Sequence, residues 1–268
     1  MAVLVCAAWR SEPGVLKELT RTDWLTILNI PERRVPLVLL VRGTRSLKHW
    51  NRLDQPRFTN VLELGTPNGI LDDLFVADLG PYPVAYASVY GAPMASEVVH
   101  VFGVLGTRLV IQIGNCGGLA DGMATGDLFS ASEACCGDGA SHYYTPGEAR
   151  VSASLDPREW ISDESSKNVT LHRGCIYTTS ALLAEGTDEL ESWHRAGCAA
   201  VDLETAATFA VAKHFGMDRT SLLYVFDNPR RKEHILLDDA EKAERRSKGN
   251  ALMMELALDM TRTYGSRQ

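Results

Sequence analysis

Six short apolar runs, separated by polar or helical segments, constrain this chain to an α/β fold. Each run is rich in aliphatic residues and ends near Gly, Pro or Asn, which is typical of a buried strand. Strands this apolar must be covered on both faces, so the pattern predicts a largely buried, mostly parallel sheet flanked by helices. The predicted strands span residues 35–41, 83–90, 108–114, 126–134, 175–183 and 220–229.

Three helical patterns lie between or after these strands, at residues 94–106, within 199–216 after an extended start, and at 238–264. The polar segment 137–168 is interpreted as an exposed excursion or a lid. Because 268 residues suit one large α/β unit, the sequence predicts a single domain, residues 1–268.

Composition narrows the classes of partner. The net charge is −7 and the basic residues are scattered, which argues against the positive face that a nucleic-acid binder needs. No apolar run reaches the roughly 18 residues of a membrane span, and residues 1–14 lack the basic region of a signal peptide. We therefore expect a cytoplasmic protein with neither nucleic-acid nor membrane partners.

The six cysteines have no regular spacing, and a chain of this size needs no disulfide support, so free thiols are expected. The adjacent Cys135 and Cys136 are the strongest candidate metal ligands. However, neither a CxxC motif nor a histidine-rich stretch accompanies them. The sequence therefore predicts no metal site.

A glycine-rich stretch, QIGNCGGLADGMATGD at 112–127, follows the third predicted strand. The pattern predicts that this strand ends at Gly114 and that a turn follows through residues 115–118. One interpretation is a tight turn and nothing more. The other is the floor of a pocket, where a small ligand lies against backbone that carries no side chain.

Two acidic residues stand at the ends of apolar strands. Glu204, in VDLETAA, either favours the start of the following helix or accepts hydrogen bonds from two vicinal hydroxyls, as on a ribose. Asp227, in VFDNP, either forms a turn into Pro229 or acts as a general acid whose pKa is raised by burial. In open α/β sheets, ligands bind beyond the carboxyl ends of the strands, where both acids are expected.

A basic turn, RGTRSLKHW, follows the first predicted strand. Its Gly43 amide, together with Arg42 and Arg45, could hold an anion. A solvated turn that binds nothing is an equal alternative.

Taken in order, these motifs resemble those of the nucleoside phosphorylase and nucleosidase superfamily. The matching segments are the Gly43 loop, YGAPMASE, IGNCGGLADGMATGD, GDGASHYY, AVDLETAA and VFDNP, and the resemblance runs from about residue 36 to 260. It implies one α/β domain around a mixed, partly barrel-like sheet, assembled as a homo-oligomer, either a dimer or a hexamer of dimers. It also implies cleavage of the N-glycosidic bond of a small-molecule nucleoside without a cofactor; inorganic phosphate is a co-substrate only in a phosphorylase.

The resemblance also implies roles for individual residues. Glu204 matches the acid that binds the ribose hydroxyls, and Asp227 matches the acid that protonates a purine leaving group. Arg57 falls where a neighbouring subunit lends an arginine to phosphate. The implied substrate-binding residues are Asn115, Cys116, Gly117, Leu183, Val201, Asp202, Leu203 and Phe226, and the implied phosphate or water site comprises Gly43, Arg45, Arg57 and Asn115.

Two departures bear on the nucleophile. Phosphorylases of the family carry arginines where this chain has Leu47 and Gln112, and arginine is the usual device for holding phosphate. The GNCGGL and AVDLET motifs are similar to those of AMP nucleosidases. We therefore expect hydrolysis of a purine-type nucleoside, with two alternatives left open: phosphorolysis at a rebuilt phosphate site, and a non-catalytic nucleoside-binding protein.

Overall fold

One mixed sheet organises the computed structural model, which describes residues 15–162, 169–237 and 239–268. Its strands are β1 (Val38–Gly43), β2 (Thr59–Leu64), β3 (Leu74–Leu79), β4 (Tyr82–Val89), β5 (Leu109–Gly118), β6 (Leu128–Gly137), β7 (Arg150–Ser152), β8 (Leu171–Thr179), β9 (Cys198–Asp202) and β10 (Asp218–Asp227). The helices are α1 (Arg21–Ile27), α2 (Leu47–Asp54), α3 (Gly91–Leu105), α4 (Thr187–Arg195), α5 (Thr205–His214) and α6 (Ala240–Ser266).

Five of the strands close into a barrel. The sheet order is β10-β6-β8-β9-β5-β1-β4-β3-β2, and β10 also pairs with β5, which completes the ring. The β10–β5, β1–β5, β1–β4, β6–β8 and β8–β9 ladders are parallel, whereas the β9–β5 and β6–β10 contacts are antiparallel. The prediction of a mixed, partly barrel-like sheet flanked by helices is confirmed.

Helices cover both faces of the open part of the sheet, as the successive side chains of β1 illustrate by packing on opposite faces. Leu39 and Val41 pack in a cluster that includes side chains of α1 and α3. Val38 and Leu40 face the other way, into a cluster that includes α6. Because all four side chains are fully buried, the continuous apolar run is explained by burial on both faces.

The glycine-rich stretch is part of a strand, so the predicted turn at 115–118 was wrong. β5 runs on to Gly118 and passes from the β1 ladder to a short pairing with β9 at Gly117 and Gly118. Gly114 has a φ of +133°, which only glycine adopts without strain. The strand therefore bends there and still presents bare backbone beyond its bend.

The described part of segment 137–168 is anchored to the sheet, although many of its residues are exposed as expected for an excursion. β7 pairs with β6, and Ser141, Thr145 and Val151 are buried. Residues 163–168 lie outside the described residues, as do residues 1–14. The predicted strand at 175–183 ends at Thr179 instead. No helix in the described parts of the chain combines the length and the apolar character that crossing a membrane requires.

We predict that Gly114→Ala destabilises the fold. A Cβ on Gly114 would lie 2.5 Å from the carbonyl oxygen of Gly43, and the positive φ adds strain of about 1–3 kcal/mol. Urea unfolding followed by circular dichroism should show a lower midpoint. Gly122→Ala is the matched control, since a Cβ there meets nothing within 4 Å; equal midpoints for the two variants would contradict the prediction.

Candidate active site

A cleft of about 590 Å³ opens at the carboxyl ends of β1 and β10 and beside the bent end of β5. This volume lies within the roughly 300–1,000 Å³ that small-molecule sites span. The fold brings most of the residues predicted from the sequence to its walls. These are Gly43, Arg45, Asn115, Cys116, Gly117, Leu183, Val201, Asp202, Leu203, Glu204, Phe226 and Asp227.

Glu204 lies at one end of the cleft, immediately before α5, and is only 5% exposed. Its Oε1 accepts a hydrogen bond of 2.8 Å from the backbone N–H of Gly91, the first residue of α3. Its Oε2 lies over Gly43, where a Cβ would approach to 2.6 Å. A side chain at position 43 would therefore displace the carboxylate, which explains the glycine.

Burial and the neighbouring Asp202 carboxylate raise the pKa of Glu204 to about 8, although the Gly91 N–H and the Arg45 guanidinium oppose the rise. Hydroxyls that donate to this carboxylate would lower its pKa again, because hydrogen bonds to the charged form stabilise that form. Glu204 is thus suited to accept hydrogen bonds from a polyhydroxyl ligand.

Asp202 has a different environment, although it also lines the cleft. Its Oδ1 accepts a hydrogen bond of 2.7 Å from the Thr178 hydroxyl. Its Oδ2 accepts from the backbone N–H of Thr205 at 2.9 Å and from the Thr205 hydroxyl. The carboxylate therefore joins β8 to the start of α5, and its bonds are directed into the protein.

Asp227 ends β10, where it stands opposite Gly117 of β5 in the parallel ladder. A Cβ on Gly117 would lie 3.5 Å from its Oδ1. Burial raises the pKa of Asp227 to about 6; the charge of Glu233 adds to the rise, and the charges of Arg246 and Lys242 oppose it. A carboxyl with this pKa can carry a proton near neutral pH and donate it to a leaving group.

Glu185 is a functional candidate that the sequence analysis missed. It lines the same cleft in the loop after β8. Burial and the charge of Asp227 raise its pKa to about 7. No motif marked it in the sequence, since its significance depends on being half-buried near a second acid.

Apolar residues form the walls near these two acids. Val201 is buried, and Leu183 is 97% exposed at the mouth of the cleft. Phe226 is half-buried, and the guanidinium carbon of Arg246 lies 4.5 Å from the centre of its ring. Cys116 contributes to the wall, but its thiol packs in the barrel and faces the Tyr224 carbonyl at 3.8 Å. The cleft thus combines an acidic, apolar end with the more polar Gly43 end.

The basic residues of the Gly43 turn have separate roles. Arg42 is 1% exposed, pairs with Asp54 at 3.0 Å and lies 4.0 Å from the Trp50 ring centre. Arg45 lines the cleft and lies 4.6 Å from the ring centre of Tyr90. Arg42 is therefore committed to the fold, and Arg45 is the guanidinium that the turn presents to a ligand.

Gln112 is fully buried behind this end of the cleft. Its Oε1 accepts a hydrogen bond of 2.7 Å from the Thr208 hydroxyl, and its Nε2 faces the Ile113 carbonyl at 3.3 Å. Arg57 does not line this chain's own cleft and pairs with Asp54 at 3.4 Å. Its contribution to a neighbouring subunit stays a prediction.

The fold also brings together three cysteines that the sequence analysis did not connect. Cys135, Cys175 and Cys198 lie on the neighbouring strands β6, β8 and β9, and all three are buried. Cys136, the other half of the pair considered from the sequence, is not part of this group.

The family model and two relatives in sequence that match this chain all name phosphorylases. The model of the phosphorylase superfamily matches residues 71–259. A DeoD-type purine nucleoside phosphorylase from Clostridium beijerinckii is 27% identical over 192 residues, covering 67% of this chain and 76% of that protein. A guanosine phosphorylase from Halorubrum lacusprofundi is 26% identical over 139 residues, covering 52% and 58% respectively.

The fold itself has solved relatives. A crystal structure of uridine phosphorylase from Vibrio fischeri superposes with a TM-score of 0.71 at 22% identity, covering 86% of this chain and 94% of that one. At this identity the likeness concerns the fold.

We predict that Asp202→Asn lowers the free energy of unfolding by about 1–3 kcal/mol, because the amide group would face donors that now bind a carboxylate oxygen. Asp121→Asn is the control: the Asp121 side chain is 86% exposed in its ion pair with Arg230, so its effect should stay within about 0.5 kcal/mol. Denaturant unfolding measures both. Equal stabilities would show that the inward bonds of Asp202 contribute little.

Proposed function

Because this chain belongs to the phosphorylase superfamily, we propose that its cleft binds a purine-type nucleoside and that the enzyme cleaves the N-glycosidic bond by hydrolysis. The observation that supports this most is the pair of acids at different positions in one cleft. Glu204 and Asp227 lie over the bare backbone of Gly43 and Gly117, respectively. A nucleoside needs two such groups, one for its sugar and one for its base.

At the sugar end, Glu204 accepts hydrogen bonds from the vicinal ribose hydroxyls. The α3 N-terminus holds one carboxylate oxygen through Gly91, which fixes the orientation of the other. Breaking the bond builds positive charge on the sugar, and a carboxylate that polarises the hydroxyls stabilises that charge.

At the base end, protonated Asp227 donates its proton to the departing base, so that the base leaves without a negative charge. Val201, Phe226 and Leu183 provide apolar surface for a planar ring. Glu185 lies close enough for Asp227 to act on its pKa, and we assign it to the polar edge of the base, as an acceptor when ionised and a donor when protonated.

The residues at the Gly43 end of the cleft favour water over phosphate as the nucleophile. Phosphate would bring negative charge next to Glu204, whose ionised form is already disfavoured by burial and by Asp202, so a second anion there needs cationic partners. Among the described residues that line the cleft, Arg45 is the arginine available to offset it. Leu47 and buried Gln112 stand where the resemblance leads us to expect arginines, and Arg42 is already paired.

Phosphorolysis is the second candidate, and a specific observation favours it. The named relatives are phosphorylases, and Arg45 with the Gly43 amide could hold one phosphate. An assembly in which Arg57 of a neighbouring chain completes the cleft would add a second cation. We propose a homo-oligomer of this kind for either reaction.

We predict that purified enzyme releases base from a purine nucleoside in phosphate-free buffer and yields the free sugar. The rate should not change when phosphate is added, because no step uses it. Chromatography of the products from inosine, guanosine, adenosine and uridine, with and without phosphate, measures this. A rate that rises with phosphate and yields a sugar 1-phosphate would replace hydrolysis by phosphorolysis, with Arg45→Gln then expected to raise the KM for phosphate.

We predict that Asp227→Asn lowers kcat by about 10²–10⁴-fold, as expected when a general acid is lost, with little change in nucleoside binding. The wild-type kcat should fall as pH rises above about 6, because the protonated carboxyl is the active form. Steady-state kinetics across a pH series measures both effects, and the kcat of the variant should no longer fall as the pH rises above about 6.

Glu233→Gln is the control for that assignment. The Glu233 charge raises the pKa of Asp227. Its removal should therefore lower that pKa, so that kcat begins to fall at a lower pH while Asp227 still acts as the acid. If kcat falls over the same pH range in Glu233→Gln as in the wild type, and still falls in Asp227→Asn, the titration belongs to another group.

A further inference from the structure

Three buried thiols form a compact triangle away from the acids of the cleft. Cys135 and Cys175 are 3.3 Å apart between sulfurs, Cys175 and Cys198 are 3.3 Å apart, and Cys135 and Cys198 are 3.5 Å apart. Cys175 and Cys198 are paired in register between β8 and β9. Their convergence is therefore fixed by the barrel and does not depend on loops.

The triangle has the dimensions of three ligands around one ion. A point equidistant from the sulfurs lies about 1.9 Å from each in their plane, so an ion at the ~2.3 Å of a zinc–thiolate bond would sit about 1.2 Å out of that plane. Three ligands on one side of an ion leave a fourth, tetrahedral corner open. Regular tetrahedral angles place sulfurs about 3.8 Å apart at this bond length, so binding would spread the triangle by roughly 0.3–0.5 Å, whereas a flat three-coordinate arrangement would require about 4.0 Å.

We propose that Cys135, Cys175 and Cys198 form a binding site for Zn²⁺ whose fourth corner is taken by water. Thiolates prefer soft or borderline ions of this kind. Cys135 and Cys175 are 8% and 6% exposed, so the cluster is not completely sealed from solvent. Leu119, Leu190 and Val201 pack around the sulfurs and exclude other ligands.

Charge favours a divalent ion. Three neutral thiols release three protons to solvent when they bind Zn²⁺ as thiolates, and the product carries one negative charge. A monovalent ion would leave two negative charges in a buried site. Arg150 stands opposite Cys135 in the β6–β7 ladder and pairs with Glu133 at 2.6 Å, which places a cation beside the cluster.

The test uses the full chain, reduced and stripped of metal, with Zn²⁺ titrated against a chromophoric chelator. We expect one tight site per chain, and Co²⁺ in its place should give thiolate-to-metal charge-transfer absorption. Zn²⁺ should also raise the thermal midpoint. Weak binding together with a Co²⁺ spectrum that lacks thiolate bands would overturn the proposal, whatever the variants do.

Cys135→Ala and Cys175→Ala each remove one ligand, so each should weaken Zn²⁺ binding by more than the roughly 10–100-fold that loss of an outer-shell partner costs. Cys136→Ala is the matched control, because Cys136 is the adjacent residue of β6 and lies outside the cluster. If the cluster only fills space, Zn²⁺ will change the thermal midpoints of the wild type and of all three variants by the same amount, or not at all. That result would also overturn the proposal.

Discussion

The close contact between β1 and β5 is the constraint on which the site depends. Gly43 and Gly114 stand opposite each other in the parallel ladder, and a Cβ on Gly114 would reach the Gly43 carbonyl oxygen at 2.5 Å. On its other side, Gly43 leaves room for the Glu204 carboxylate. Two missing side chains in register therefore set both the spacing of the strands and the position of the acid, since backbone this close tolerates no Cβ.

Three carboxyl groups that line one cleft acquire different properties from their surroundings. Asp202 is held by donors from Thr178 and Thr205 and acts within the fold. Glu204 accepts the Gly91 N–H through Oε1, and its Oε2 lies over Gly43. Asp227 is buried with a pKa of about 6. In the proposed reaction the same chemical group thus serves as a structural anchor, an acceptor and a proton donor, because burial and hydrogen bonds decide which form is stable.

The sequence predicted what depends on local pattern. Apolar runs located β1, β4 and β10, and helical spacing located the long helices. The positions of Glu204 and Asp227 at strand ends predicted one shared site, and the fold places both acids in one cleft. Glycines inside a strand usually indicate a break, so the continuation of β5 to Gly118 was missed. Only the sheet explains it, because Gly117 and Gly118 pair with β9.

What depends on distant pairing was not predictable from the sequence. Arg42 and Arg45 look equivalent in the turn, but Arg42 lies within β1 and meets Asp54 from α2, whereas Arg45 follows the strand and reaches the cleft. Likewise, Cys135, Cys175 and Cys198 are separated by 40 and 23 residues along the chain. Their meeting follows from the order of β6, β8 and β9 in the barrel.

The same barrel order places the thiol cluster next to the wall of the cleft. Leu190 and Val201 pack with the cysteines and also line the cleft. Protein interiors are close-packed, so a change in the spacing of the three sulfurs is transmitted to the side chains that touch them. A change in the spacing of the sulfurs would therefore move Val201 in the wall of the cleft, and Asp202 and Glu204 follow Val201 closely along the chain. The thiol cluster is thus coupled through β9 both to the apolar wall of the cleft and, through the hydrogen bond from Thr205 to Asp202, to the start of α5.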